Sequence, residues 1–233
     1  YEISACLVGS EMCIRDSKSN KNSNQSSQKI PVPLASLLAV LLPWYDREKR
    51  SLPWRDIVTP YRTWVSEIML QQTRVQAVLP YFERFMAAAP DVPALAELAE
   101  DRLLSLWQGL GYYSRARSLQ RSARVMVDQY GGCLPDTYSD LIQLPGIGDY
   151  TAGAILSIAF NKAVPAVDGN VLRIAARLTA CGDNVLDPRT RQHVRDALAA
   201  VMPTDRPGDF NQAMMDLLSL IHISEPTRQA EIS

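Results

Sequence analysis

Residues 136–170, DTYSDLIQLPGIGDYTAGAILSIAFNKAVPAVDGN, constrain the fold more than any other stretch. Leu141, Ile142 and Leu144 form the apolar side of a short helix, with Asp136 as its expected N-cap. Pro145, Gly146, Ile147 and Gly148 then turn the chain sharply, because two glycines flank one apolar residue. A longer helix is expected to begin at Asp149 or Tyr150. Amides left free at such a helix start can hold a phosphate. A loop then delivers Asp168 between Val167 and Gly169.

No stretch alternates apolar and polar residues as a half-buried strand does, and no internal repeat is visible, so the expectation is an all-α protein of many short helices. Pro31 and Pro33 precede a helix over 34–47, in which Pro43 would make a kink or a break. Residues 51–60 read as a loop. Thr59 caps and Pro60 opens a helix carrying YRTWVSEIMLQQTRV. On it Trp64 and Ile68 face a core, while Glu67, Gln71 and Arg74 share another face. Further helices are expected over 80–88, 94–98, 101–106, 114–130, 171–179, 188–201 and 209–217. Arg115, Arg117, Arg121 and Arg124 make one side of the 114–130 helix basic, and the first three read as phosphate or surface charges. The helices are expected to form two lobes, with the Glu67 and Asp168 segments meeting in a cleft.

The two ends are related in an unusual way. One legal set of codons for residues 2–16, read on the opposite strand in a shifted frame, encodes residues 219–232 without a mismatch. Opposite strands of one DNA segment are not expected to encode both ends of a protein. Residues 1–17 and 218–233 therefore read as a sequencing-library adapter translated at both ends, foreign to the fold. Residues 18–33, rich in Ser and Asn, read as a disordered leader, and residues 34–217 as one helical domain. Without the charged side chains of the two tails, the net charge moves from -1 to +2. That balance neither demands nor forbids a nucleic-acid partner. Cys133 and Cys181 remain outside the tails and suggest neither a disulfide framework nor a metal site. No apolar run reaches the length of a membrane span, and a reducing, intracellular setting (bacterial cytoplasm or nucleoid) is expected.

Two carboxylates are candidates for chemistry. Breaking an N-glycosidic bond needs the base protonated as it leaves and the developing positive sugar stabilised. Glu67 lies on a largely apolar helix, where desolvation favours the protonated form, so it suits the acid. Asp168, in a loop after the hairpin, suits the ionised partner. Taken singly, each also has an ordinary reading, Glu67 as a helix-surface carboxylate and Asp168 as a cap or turn residue.

Five segments change the weight of those readings: WVSEIMLQQT (64–73), GLGYYSRAR (109–117), LPGIGDYTAGAI (144–155), VDGNVLR (167–173) and FNQAMMDL (210–217). Together and in this order they resemble the catalytic domain of adenine DNA glycosylases of the MutY type, in the helix-hairpin-helix base-excision superfamily. The resemblance covers about residues 37–217. It implies an all-α helix-hairpin-helix glycosylase fold, with the hairpin at about 136–160. It implies a monofunctional enzyme that removes adenine mispaired with guanine or 8-oxoguanine from double-stranded DNA, acting as a monomer. By the same resemblance Glu67 is the acid that protonates adenine N7 and Asp168 stabilises the oxocarbenium-like sugar or its covalent intermediate. Tyr150 is a hydrogen-bonding helper and Asn170 orients the catalytic groups. Trp54, Arg55 and Asp216 resemble pocket residues for the extruded adenine. Gln72, Thr73, Leu110 and Tyr112 resemble residues that recognise the opposite base or enter the stack, filling the gap that extrusion leaves. Pro145, Gly146, Ile147 and Gly148 resemble the hairpin that grips the DNA backbone.

The family motif continues after FNQAMMDL with a glycine and four cysteines that hold a [4Fe-4S] cluster. Here Leu217 is followed by Leu218-Ser219-Leu220-Ile221-His222. The resemblance therefore implies a cluster in the intact parent protein and none in this chain, and a missing C-terminal domain that checks the 8-oxoguanine strand. Two other readings are open. An endonuclease III-type glycosylase shares the hairpin and the aspartate, but carries an attacking lysine where this chain has Tyr150 and lacks the glutamate at Glu67. A non-catalytic hairpin module would not need both carboxylates. Convergence of Glu67 and Asp168 on one pocket separates the enzymatic reading from the binding one.

Overall fold

The computed structural model describes residues 34–178, 184 and 187–224. The expected N-terminal adapter segment, the disordered leader, Cys181 and residues 225–233 lie outside the described residues. The described residues form helices and connecting loops, with no strand among them. In chain order the helices are α1 (Leu34–Glu48), α2 (Pro53–Asp56), α3 (Pro60–Leu70), α4 (Val75–Ala88), α5 (Val92–Glu97) and α6 (Glu100–Trp107). They continue as α7 (Tyr113–Tyr130), α8 (Tyr138–Leu141), α9 (Asp149–Phe160), α10 (Gly169–Leu178), α11 (Pro188–Val201) and α12 (Pro207–Ser224).

Local chemistry accounts for several of the starts. The Thr59 hydroxyl accepts from the Arg62 amide at 3.1 Å and Pro60 fills the first helical position, so α3 begins where the sequence places it. Asp91 caps α5 and Asp187 caps α11 in the same way. The cap of α8 is Thr137, not Asp136: its hydroxyl accepts from the Asp140 amide at 3.2 Å. Asp136 stands one residue too early and pairs instead with Lys162 at 2.8 Å.

Packing overrides several sequence expectations. Helix α1 runs through Pro43 without ending, and α4 begins at Val75 and runs through Pro80. Each proline forfeits an intrahelical bond, but burial of Leu41 and Tyr45 in α1, and of Val78 and Phe82 in α4, outweighs it. The expected loop after α1 contains α2, anchored by buried Trp54 edge-on against Phe82 at 5.1 Å between ring centroids. Helix α12 continues beyond the expected end at Leu217 as far as Ser224.

Two apolar cores define two lobes. The first gathers side chains from α2 to α9, including Trp64, Phe82, Phe85 and Trp107. The second gathers Leu41 and Tyr45 of α1 with Ile174, Leu198, Phe210 and Met214 from α10 to α12. Helix α9 packs on α3 to one side and on α12 to the other, and so joins them. The α12 contact needs Gly208, where a Cβ would stand 2.8 Å from the Ile158 Cα and 2.9 Å from the Ser157 carbonyl. Buried Asn211 pins the next segment: it donates to Ser157 Oγ at 2.7 Å and to the Val164 carbonyl at 3.0 Å, and accepts from the Ala166 amide at 3.1 Å. That fixes the loop that leads to Asp168.

Candidate active site

A cavity of about 700 Å³ opens between the lobes. Its lining includes Glu67 from α3, Tyr150 from α9, Asp168 and Asn170 at the start of α10, and Asp216 from α12. The two carboxylates therefore converge on one space. Helix α3 is not the two-faced helix that its spacing suggests. Residues 63–69 are all buried, because α4, α7 and α9 surround the helix. Glu67 is 7% exposed, with no solvent face of its own.

Burial sets the chemistry of Glu67. Its carboxyl is pushed up from 4.5 to about 7, first by desolvation and further by the Asp168 charge, while a hydrogen bond from Tyr150 and the charge of Arg55 pull the other way. A carboxyl poised near neutrality can give a proton and take one back. Burial, then the charges of Glu67 and Asp168, raise the Tyr150 phenol well above 10, so it stays a neutral donor. Met215 Sδ stands as an alternative acceptor for the same hydroxyl proton, 3.5 Å away.

Asp168 combines a structural and a chemical position. Its Oδ1 accepts from the amides of Asn170 at 3.0 Å and Val171 at 2.8 Å, and its Oδ2 from Asn170 Nδ2 at 3.1 Å. The ordinary reading of Asp168 as a helix cap is thus correct, and it does not compete with the other. Capping α10 aims the carboxylate at the cavity wall and holds it in one rotamer. Asn170 is held in turn by Arg173, whose guanidinium donates to Asn170 Oδ1.

Trp54, Arg55 and Asp216 line the same cavity. Arg55 does not project into it freely. It makes a two-pronged pair with Asp216, Nη1 to Oδ2 at 2.7 Å and Nη2 to Oδ1 at 3.1 Å, and Arg50 adds a third contact at 2.5 Å. This arginine–aspartate–arginine group ties α2 and the end of α1 to α12 across the lobes. Arg50 was invisible to sequence reasoning, as were Met215 and Thr63. Thr63 lines the cavity, and its buried hydroxyl has no protein partner.

Gln72 and Thr73 lie at the rim of the cavity, after α3 ends. Gln72 is exposed with φ +57°, and Tyr112 is 62% exposed with φ +48°. Both side chains are thus offered outward by left-handed backbone. Leu110 does not join them: it is 6% exposed and packs in the first core. Arg115 also departs from the sequence expectation. It is no free surface charge; its guanidinium is spent on backbone carbonyls of the two loops. Arg117 pairs with Glu100 at 2.8 Å, and Arg121 donates to Ser118 Oγ at 3.1 Å.

In the hairpin, Ile147 is buried in the first core and Gly146 and Gly148 are exposed. Gly146 has φ +82° and its missing Cβ leaves room for Ser118, which would otherwise be 3.0 Å away. Ser122 Oγ donates to the Pro145 carbonyl at 2.7 Å and pins the turn to α7. Gly148 caps α9 without a side-chain hydrogen bond, and Asp149 beside it accepts from Tyr138 at 2.7 Å and Arg195 at 3.1 Å. As for a cluster, no group of three or more His, Cys, Asp or Glu side chains among the described residues could hold a metal ion. Cys133 is free and exposed. These residues do not fit a four-thiolate cluster.

A family model described as HhH-GPD superfamily base excision DNA repair protein matches residues 65–201. The curated adenine DNA glycosylases of Mus musculus and Homo sapiens are each 46% identical to this chain over 186 residues. Those matches cover 76% of this chain, but 36% of the mouse protein and 34% of the human one. The adenine DNA glycosylase of Buchnera aphidicola (subsp. Acyrthosiphon pisum) is 41% identical, covering 79% of this chain and 53% of its own. The chain thus spans about a third to a half of the length of the curated relatives it matches. Among solved structures, a thermostable thymine-DNA glycosylase aligns with TM-score 0.72 at 24% identity, covering 83% of this chain and 88% of the other. A trapped endonuclease III–DNA covalent intermediate aligns with TM-score 0.65 at 22% identity, covering 78% and 83%. At those identities the two structures show a shared fold and no more.

Proposed function

The chain belongs to the HhH-GPD superfamily of base excision DNA repair proteins, and from that premise we propose that it is a monofunctional adenine DNA glycosylase. It hydrolyses the N-glycosidic bond of adenine mispaired with guanine or 8-oxoguanine in double-stranded DNA, acting as a monomer. The observation that carries this reading is the convergence of Glu67, poised near neutrality, and capped Asp168 on one cavity.

The extruded adenine enters between the lobes. Protonated Glu67 donates to adenine N7, so that the C1′–N9 bond breaks with a neutral leaving base. The sugar becomes positive as the bond stretches, and the Asp168 carboxylate stabilises it, held in place by Asn170 and the α10 amides. Water then bonds to C1′, and the Glu67 carboxylate takes its proton, which resets the acid. Tyr150, a neutral donor, keeps Glu67 oriented. Trp54 and the Arg55–Asp216 pair shape the base pocket, and the hairpin amides hold a backbone phosphate. A lyase step would need an amine nucleophile, and among the described residues no lysine lines the cavity.

Single-turnover release of adenine from a duplex with one A opposite 8-oxoguanine tests the reading. Release by the chain that falls by about 10²-fold or more in Glu67→Gln is the expected result. A folded chain that binds the duplex and releases no adenine would leave only a binding module.

A further inference from the structure

Two strained positions, one at the cavity rim and one in the turn before α7, come from distant parts of the chain. Gln72 and Tyr112 are left-handed although neither is glycine. The third non-glycine residue of this kind among the described residues, Asn161, caps the end of α9, where asparagine is at home. Glutamine and tyrosine have no such preference, so something must hold them.

One guanidinium touches both loops. Arg115 Nη1 donates to the carbonyls of Ile68 at 2.9 Å, Met69 at 3.0 Å and Gln71 at 2.5 Å. The first two are among the last carbonyls of α3, which the helix itself leaves unpaired, and the third belongs to its C-cap residue. Arg115 Nη2 donates to Thr73 Oγ1 at 3.3 Å and to the carbonyls of Leu110 at 3.1 Å and Gly111 at 3.3 Å. The acceptors flank Gln72 on both sides and run up to Tyr112. The guanidinium carbon also lies 5.6 Å from the buried Trp107 ring and 5.5 Å from the exposed Tyr112 ring. Trp107 Nε1 donates to the same Gly111 carbonyl at 3.1 Å, which fixes the floor beneath the fork. A planar fork with two donor nitrogens can serve both loops at once; an ammonium cannot.

We infer that Arg115 is a positioning residue that couples Gln72 and Tyr112 into one rigid two-pronged wedge, so that the two side chains meet the duplex as a unit. The coupling of the loops stands on the hydrogen bonds; that the wedge meets a mispair rests on the glycosylase reading. A chain that extrudes a nucleotide must fill the gap, and two prongs on separate mobile loops would have to be ordered at that moment.

Two measurements test it separately. Amide hydrogen exchange compares the chain with Arg115→Lys. Exchange should rise by about tenfold in residues 71–73 and 110–112 together, with the first-core helices unchanged. A rise in one loop alone, or in neither, overturns the inference whatever the DNA results. If Arg115→Lys lowers core protection too, Thr73→Val removes one acceptor only, and should move both loops by a smaller, shared factor. The second measurement is a binding cycle with Gln72→Ala, Tyr112→Ala and the double variant. The duplex carries a non-hydrolysable 2′-fluoro adenosine opposite 8-oxoguanine. With Arg115 present, the double variant should weaken binding at least about fivefold less than the product of the single effects. In Arg115→Lys the effects should multiply. Multiplying effects with Arg115 intact overturn the wedge. Equal binding of mispaired and fully paired duplexes by the unaltered chain, beside coupled exchange, would overturn the glycosylase reading and leave the coupling of the loops.

Discussion

Replacing Glu67 with glutamine should stabilise the folded chain at pH 8 and leave it nearly unchanged at pH 4.5. The folded carboxyl titrates at about 7 and an unfolded one at 4.5. The folded state therefore binds this proton more tightly. Below 4.5 both states are protonated, and burial carries no ionisation cost. Between 4.5 and 7 the unfolded chain ionises first, and stability falls as pH rises. Above 7 the folded chain carries the full cost of a buried carboxylate, on the order of 3 kcal/mol for a displacement of this size. Glutamine fills the same space without a charge at any pH. Urea unfolding of both chains from pH 4.5 to 8 measures the difference directly. The two curves should meet at the acid end and separate towards about 3 kcal/mol at pH 8. A pH-independent difference, or a glutamine chain that is less stable at pH 8, would refute the reasoning. It would mean that Tyr150 and Arg55 compensate the buried charge. On the glycosylase reading the cost would follow from function: a proton donor must be held out of water to keep its proton near neutrality.

Three other perturbations follow from contacts at the site. Asp168→Asn keeps an N-cap of equal rank and should hold stability within about 0.5 kcal/mol while adenine release is lost. Asp168→Ala should cost about 1 kcal/mol more in urea unfolding. Asp216→Ala leaves Arg55, whose side chain is 12% exposed, without its paired acceptor, and should destabilise the chain by about 3 kcal/mol. Gly208→Ala forces α12 away from α9 and should cost about 2 kcal/mol in thermal or urea unfolding. It should also weaken adenine release, since Met215 and Asp216 ride on α12.

What the sequence determined by itself was the local backbone. Thr59 and Pro60 start α3, Gly131 ends α7 in the left-handed region, and Gly146 makes the hairpin, each through groups within a few residues. The motif order also placed Glu67, Tyr150, Asp168 and Asn170 at the site, which the cavity brings together. The tertiary structure decided the environments. The apolar run around Glu67 made desolvation legible, but spacing put it on one face with Gln71 and Arg74. Helix α9 and the neighbouring helices instead bury residues 63–69 on every side and bring Tyr150 and Arg55 to the Glu67 carboxyl. Arg115 counted as one more charge on a basic helix until the ends of α3 and of the 109–111 turn supplied its acceptors. Asp216 and Arg55 lie 161 residues apart and meet only when α12 crosses to α2. Caps and turns are settled by neighbours along the chain, so they can be read in it. Desolvation and hydrogen-bond partners come from segments far away in sequence, and exist only once those segments have packed.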